Sequence, residues 1–319
     1  MTDALPSPGL AGLATQWSVQ PLAILAAVLA AAWYLRSVRR LTRAGDAWPV
    51  RRSVLFAVGL ALFLWTTCGF PQAYGSSLYW VWTTQTLTLF LLVPFILLSG
   101  QPLQLARKHS GRDGAVDRFL RSRVGRLLSN PLVGPALVPL LSGALFFGPL
   151  PGWAIAPPLV GWALQIVLVA VGGLILLPLI GLDDEPSSLA VGLTLAIGSF
   201  ELVLDAIPGI ALRMHSGLVT SYFEHRSAHS WSPSALPDQH IAGSILWCVS
   251  EIIDLPFMLI VYRRWLRADA RDAAAIDAVL DAERIARTGL PDTDASDNRA
   301  DAPWWLTDPA MQHRLRRKR

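Results

Sequence analysis

The sequence has little charge and little cysteine for its length. Only 16% of its 319 residues are charged, whereas 53% are hydrophobic. The two cysteines, Cys68 and Cys248, lack the CxxC or Cys/His spacing that is typical of zinc and redox sites. We therefore interpret both as small apolar side chains within helices, with a role as soft copper ligands as the alternative.

Signatures of soluble enzymes are also absent from the sequence. It contains no Walker loop, no GxGxxG after a strand, no HExxH and no GxSxG motif. No basic region precedes the apolar stretch that follows Met1–Gln20, so a cleavable secretory signal is not predicted. These absences predict a protein that is not an enzyme and whose first helix stays in place as an anchor.

Long apolar runs are what the sequence has instead. Several of them approach the ~20 residues that a helix needs to cross the hydrocarbon core of a bilayer. We predict an all-α, polytopic membrane bundle of about seven transmembrane helices. The predicted helices are Pro21–Leu35, Ser53–Phe70, Leu78–Ser99, Pro131–Gly148, Pro158–Leu182, Ser188–Ile207 and Ile241–Tyr262.

This pattern divides the chain into three predicted parts. Residues 1–20 form a short extracytoplasmic segment, residues 21–262 the transmembrane domain, and residues 263–319 a cytoplasmic helical extension with a disordered basic tail. The extension is predicted to be helical because acidic and basic residues interleave at helical spacing. Gly289 and Pro291 then provide a signal for its end.

Basic residues concentrate in alternate loops, as the positive-inside rule expects. The loops after the first and third helices are rich in arginine, whereas Pro71–Ser77 and Pro149–Pro157 contain no Lys or Arg. This distribution places the N-terminus outside and the C-terminus in the cytoplasm, in the plasma membrane of a bacterium. The net charge of +4 is explained by these loops and by their contact with the lipid bilayer, so no nucleic-acid partner is predicted.

Four carboxylates lie inside two of the apolar helices. Glu201 and Asp205 are four residues apart and Glu251 and Asp254 three apart, so each pair lies on one helix face. A charge at bilayer depth costs about 2.5 kcal/mol or more, so such residues usually handle ions or protons or pair with one another. We predict that these acids, together with Gln85, are functional. The alternative is that they are neutral or hydrogen-bonded and only hold helices together.

The predicted outer loop between the last two membrane helices contains most of the histidines. The candidate metal ligands there are Met214, His215, His225, His229 and His240. His225 and His229 have a spacing that places two imidazoles on one side of a helix, and His and Met together suit copper. The alternative is that these are simply polar, solvated loop residues.

Four stretches of the sequence resemble CtaG-type cytochrome c oxidase assembly factors. They are YGSSLYWVWTTQTLTLFLLVPFILLSGQPLQLAR at Tyr74–Arg107, LLSNPLVGPAL at Leu127–Leu137, GLILLPLIGLDDEPSS at Gly173–Ser188 and DQHIAGSILWCVSEIIDLPFMLIVYRRWLRADARDA at Asp238–Ala273. The last is the most specific, since one helix carries Asp-Gln, Ala-Gly, a Trp and an acid before a basic RWLRAD segment. The resemblance covers most of the chain.

The resemblance implies a seven-helix membrane protein that helps to mature a haem–copper cytochrome c oxidase. Its implied partners are oxidase subunits, and copper delivery at the outer face is commonly linked with the family. Family members typically carry HMxQHM in the third helix, but Val81–Leu87 reads VWTTQTL here and retains only Gln85. A His expected near the start of the fifth helix is also absent from Pro157–Gln165.

Several functions therefore stay open at this point. The chain is a diverged paralogue that kept the scaffold, a protein with a copper site moved to the outer-loop histidines, or a protein whose role never needed metal. From another class, a proton- or cation-coupled transporter or channel would use the intramembrane acids. A structural subunit of a respiratory complex is the third possibility.

Overall fold

The computed structural model describes residues 6–9, 11–110, 118, 122, 133–147, 149–155, 158–180, 188–224 and 231–288. At some helical positions, including Glu201 and Asp254, the structure describes the backbone but not the side chain. Throughout the described ranges the regular structure is helical, as the apolar runs predict. The chain divides into two compact units, Met1–Leu266 and Arg267–Arg319.

In the described ranges, seven long helices coincide with the seven predicted apolar runs. They are α1 Pro21–Arg43, α2 Val50–Cys68, α3 Tyr79–Ser99, α4 Val133–Phe146, α5 Pro158–Ile180, α6 Ser188–Met214 and α7 Ala235–Thr288. Shorter helices cover Gly12–Thr15, Phe70–Tyr74, Pro102–Ser110 and Leu150–Ile155. Helix α1 runs past its predicted end because good helix formers such as arginine continue it beyond the apolar run. Helix α6 likewise continues through Pro208.

Five helices in the described part of the chain are long and apolar enough to cross a membrane. They are Pro21–Arg43, Val50–Tyr74, Tyr79–Ser99, Pro158–Leu176 and Val191–Met214. Helix α4 has 14 described residues, or about 21 Å at ~1.5 Å per residue, which is shorter than the hydrocarbon core. The predicted seventh span lies within α7, where Glu251 and Asp254 interrupt the apolar run.

Helix α3 changes its winding at its centre. Residues Thr88–Leu92 are π-helical between two α-helical halves. Because Pro94 has no N–H group, the carbonyl of Phe90 lacks its usual donor four residues later, and the wider turn accommodates this gap. Helix α5 crosses here with Gly172 against that carbonyl, at a place where a Cβ atom would collide with it. The absence of a side chain at Gly172 therefore allows α5 to approach α3 closely at this turn.

The GQPL segment, Gly100–Leu103, ends α3, and its first three residues each have a structural role. A Cβ atom on Gly100 would lie 2.8 Å from Phe56 Cβ and 2.9 Å from the carbonyl oxygen of Arg52, so α2 leaves no room for a side chain. Gln101 follows with φ of 53°, a left-handed conformation that stops the helix. Pro102 then begins the next helix, where its missing N–H costs nothing.

One end of the Met1–Leu266 unit is closed by segments whose described residues include no Lys or Arg, and we call it the cap end. It consists of residues 6–9 and 11–20, the helices Phe70–Tyr74 and Leu150–Ile155, and residues 215–224 and 231–234 before α7. The indole N–H of Trp65 donates to the carbonyl of Leu13 over 3.0 Å, and the hydroxyl of Tyr74 donates to the carbonyl of Pro6 over 2.9 Å. The N-terminal segment therefore lies across the ends of the helices.

Candidate functional site

Three glutamines from different elements meet inside the cap end, and we call them the glutamine cluster. Gln72 lies in the helix Phe70–Tyr74, Gln85 in α3 and Gln165 in α5. Gln85 Nε2 and Gln165 Nε2 both donate to Gln72 Oε1, over 2.8 Å and 2.7 Å. Gln85 Nε2 also donates to the carbonyl of Thr66 in α2 over 3.0 Å. One amide oxygen thus joins three elements of the bundle.

A cavity of about 90 Å³ lies beside the glutamine cluster. Besides the cluster, its lining includes Gln20, Ser76, Thr86 and two indole rings, those of Trp82 and Trp162. Of the described residues, no Asp, Glu, His, Cys or Met lines it. A space of this size has room for several water molecules, and amide groups both donate and accept hydrogen bonds to such guests. The cavity is therefore polar but uncharged.

Helix periodicity explains how α3 reaches the cavity. Trp82, Gln85, Thr86 and Leu89 are spaced at three or four residues, so they share one face of the helix. Gln85 is the residue of this face that the sequence predicts to be functional, whereas Gln72 and Gln20 are not among the predicted residues. Gln72 and Gln20 could have been found because each has an amide side chain inside or beside an apolar run. Such side chains usually form hydrogen bonds between helices in a membrane.

The structure does not bring Gln85 to the predicted intramembrane acids. Its side chain bonds instead to Gln72 and Thr66. Asp205 on α6 and Glu251 on α7 are half-buried, and the side chains of Glu201 and Asp254 lie outside the described residues. A functional role for the four acids stays a prediction.

The predicted metal ligands lie partly at the cap end. Met214 and His215 are exposed at the end of α6, and His240 Nε2 lies 3.1 Å from the carbonyl oxygen of His215. His225 and His229 lie outside the described residues. Within the ranges that the structure describes, no three His, Cys, Asp or Glu side chains form a group able to hold a metal. Copper binding at this loop stays a prediction.

Asp238 is a buried carboxylate that was not predicted from the sequence to be functional. It is fully buried at the start of α7, and its carboxylate accepts the backbone N–H of Tyr79 over 2.8 Å and of Trp80 over 3.0 Å. The residue before α3, Leu78, provides no side-chain cap, so Asp238 supplies the cap from another helix. Burial raises the pKa of Asp238, and the N–H groups of Trp80 and Tyr79 oppose that rise.

The residues after Asp238 attach α7 to two further elements. Gln239 accepts the N–H of Val219 and donates to the carbonyl of Gly217, each over 2.9 Å, and so holds the loop after α6. A Cβ atom on Gly243 would lie 2.5 Å from the backbone nitrogen of Arg213, so α6 and α7 touch backbone to backbone there. The Asp-Gln and Ala-Gly features of this helix therefore have architectural roles.

An aromatic cluster fills the space between α3 and the segments around it. Tyr79 stacks on Phe223 at 4.7 Å between ring centroids, and its hydroxyl donates to the carbonyl of Phe146 over 2.6 Å. Trp82 meets Phe146 edge to face at 5.3 Å. Because Trp82 also lines the cavity, this cluster connects the cavity wall to α4 and to the loop after α6.

A family model described as cytochrome c oxidase caa3 assembly factor (Caa3_CtaG) matches the chain. The match covers residues 32–268, which is most of the chain. The matched range contains the glutamine cluster, Asp238 and the segment that holds the outer-loop histidines.

Uncharacterized mycobacterial proteins are also similar to the chain. One from Mycobacterium tuberculosis is 28% identical over 289 residues, which is 86% of this chain and 43% of that protein. One from Mycobacterium leprae is 26% identical over 283 residues, which is 85% of this chain and 42% of that protein. The chain thus spans less than half the length of these relatives. No solved structure matches the chain.

The cap at the start of α3 predicts a clear order of stability among variants. We expect Asp238→Ala to lower the free energy of unfolding by about 2–4 kcal/mol, because two buried N–H groups lose their acceptor. Asp238→Asn keeps one acceptor oxygen and is expected to cost about half as much. Thermal unfolding in detergent measures both. Asp277→Ala, at an exposed position, is the control, and an equal effect of Asp277→Ala and Asp238→Ala contradicts the capping role.

Proposed function

The chain belongs to the family of cytochrome c oxidase caa3 assembly factors, and we propose from this membership that it helps to assemble a haem–copper cytochrome c oxidase. Its partners are subunits of that oxidase, and its role is non-catalytic. The observation that carries the proposal is the family match over residues 32–268. Apolar helices long enough to cross a membrane support a site of action in the bacterial plasma membrane.

We infer that the cap end is where the oxidase subunit is engaged. Polar side chains at membrane depth are costly and are usually retained for function. The glutamine cluster and its cavity concentrate such side chains between α2, α3 and α5. The aromatic cluster and Asp238 hold the wall of this cavity in place, so a polar side chain of the client that reaches it meets a preformed surface.

The proposed topology has seven spans, with the cap end outside and the arginine-rich loops in the cytoplasm. The separation of basic and non-basic loops to opposite ends of the helices supports it. In a background with Cys68 and Cys248 replaced by serine, we expect Gly9→Cys to react with a membrane-impermeant maleimide on intact cells. Ala44→Cys is expected to react only after lysis. The reverse pattern of labelling contradicts the orientation.

Loss of the gene is expected to lower the haem absorbance of the oxidase in reduced-minus-oxidised spectra, together with oxidase activity. Expression of the intact chain restores both. We expect Gln85→Leu to restore less, because the Thr66 carbonyl loses its side-chain donor, at about 1–3 kcal/mol, and Gln72 Oε1 keeps only the donor from Gln165. Leu29→Ala, on an exposed face of α1, is the control. Protein levels on immunoblots separate loss of function from loss of the protein.

Unchanged oxidase levels in the deletion strain, even under copper limitation, contradict the assembly role. Full restoration by Gln85→Leu at normal protein level contradicts the proposed role of the cavity but not the assembly role.

Copper binding at the outer loop is a second candidate function, with copper as cargo. His240 Nε2 lies 3.1 Å from the backbone carbonyl oxygen of His215, so these two residues and Met214 belong to one region of the fold. This supports the candidate, because imidazole and thioether groups suit copper. The glutamine cavity does not fit this role, because amide and hydroxyl oxygens are poor ligands for copper(I). The proposed ligands therefore come from this loop, including His225 and His229.

We expect purified protein to contain about one copper per chain. The double variant His215→Ala and His240→Ala is expected to lose it, while His313→Ala in the tail keeps it. Metal analysis after purification without metal-affinity resin measures the content. Protein without copper after growth in copper-supplemented medium contradicts the cargo role and leaves the assembly role standing.

A further inference from the structure

The three amide groups of the glutamine cluster have orientations that the fold determines. The backbone carbonyl of Thr66 can only accept, so the Gln85 atom that lies 3.0 Å from it is the donor Nε2. The same nitrogen lies 2.8 Å from Gln72, whose facing atom is therefore the acceptor Oε1. Gln165 must in turn present its own donor, Nε2, to that oxygen over 2.7 Å. One backbone carbonyl thus decides which atom of each amide stays free.

The free atoms of the cluster are two acceptors and one donor. Oε1 of Gln85, Oε1 of Gln165 and Nε2 of Gln72 have no partner in the described part of the chain. All three side chains line the cavity. A Cβ atom on Gly75 would lie 3.0 Å from Gln85 Oε1, so the lack of a side chain at this position keeps that oxygen uncovered. The cavity therefore offers a guest two amide oxygens and one amide N–H group.

Two indole rings form flat parts of the cavity wall. Trp82 is buried and is held by Phe146 at 5.3 Å and by Tyr79 at 6.1 Å between ring centroids. Trp162, on the first turns of α5, is the other ring. Neither indole N–H donates to an acceptor among the residues that the structure describes. Flat walls suit a planar guest, and the two N–H groups can report on its presence.

The chemistry of the lining excludes most classes of guest. An apolar group would leave three polar atoms unpaired, which is costly. A carboxylate only accepts, so it would face two oxygens, and no Lys or Arg is among the described lining residues. An ammonium group would likewise find no described carboxylate there to pair with. A carboxamide has two N–H donors for the two oxygens and one carbonyl for the N–H group.

We propose that the glutamine cavity binds one neutral carboxamide group, supplied by an Asn or Gln side chain of the client. The NH2 group donates to Gln85 Oε1 and Gln165 Oε1, and the carbonyl accepts from Gln72 Nε2. Pro158 lines the cavity and is exposed at the start of α5, so the guest can enter from the surface. The identity of the client rests on the proposed assembly function, whereas the chemistry of the guest does not.

Three small molecules of equal size test the chemistry on the full chain in detergent. Propionamide is the carboxamide, butanone replaces its NH2 group by a methyl group, and propionate replaces it by a charged oxygen. The indole N–H resonances of tryptophan-labelled protein are followed by NMR during each titration, and Trp82→Phe and Trp162→Phe assign the two signals. We expect both signals to shift saturably, with propionamide bound about ten-fold more tightly than the other two molecules.

Gln165→Leu removes one of the two acceptors for the guest. We expect it to weaken propionamide binding about ten-fold and to change butanone binding less than about two-fold, because butanone has no N–H group to lose a partner. Gln104→Leu is the matched control, since Gln104 does not line the cavity, and it should leave both affinities unchanged. The comparison of the three molecules on the unaltered chain decides the question if Gln165→Leu does not fold.

Photo-crosslinking in cells tests the source of the carboxamide. With benzoylphenylalanine in place of Trp162, we expect an adduct to an oxidase subunit in a segment that contains Asn or Gln. The same replacement at Trp33, which is exposed on α1, is the control and should give no such adduct. Mass spectrometry of the adduct identifies the segment.

Four results overturn the proposal. Equal affinities for propionamide and butanone mean that the amide atoms of the cavity are not engaged, and tighter binding of propionate means an anion site. No saturable shift with any of the three molecules means a cavity for water alone. Propionamide binding without an oxidase adduct means that the guest is a small amide and not a client side chain. Each result leaves the assembly role to be judged by the spectra of the deletion strain.

Discussion

The bond between Asp238 and the first turn of α3 is the interaction on which the rest of the structure depends. A helix that begins inside a protein has backbone N–H groups without partners, and leaving them so is costly. Tyr79 and Trp80 find their acceptor 159 and 158 residues away, on α7. This contact fixes the start of α3, and with it the face that carries Trp82 and Gln85 to the cavity.

The glutamine cluster follows from the same requirement. Inside a membrane bundle there is no bulk water to satisfy an amide, so Gln85 and Gln165 must find acceptors within the protein. Both find the oxygen of Gln72, which lies on a short helix beyond the end of α2. The result is a polar and uncharged site. It differs in chemistry from the acidic site that Glu201, Asp205, Glu251 and Asp254 suggest from sequence, and the two sets remain separate candidates.

The two ends of the bundle have different chemistry. The cap end has amides, hydroxyls and indole rings around a cavity. The end of α1 and the start of α2 are rich in arginine, and one of these residues, Arg52, lies over the ring of the buried Trp48.

The helices, their approximate positions, the arginine-rich segments and the family were determined by the sequence alone, because apolar runs, runs of basic residues and the motif that begins at Asp238 are local patterns. The partners of polar side chains were decided only by the tertiary structure. Periodicity places Gln85 on a face of α3, but which amide it meets depends on the π-helical turn, on Gly172 and on the path of the chain after Cys68. Asp238 reads as the first residue of a motif in the sequence, and only packing makes it the cap of another helix.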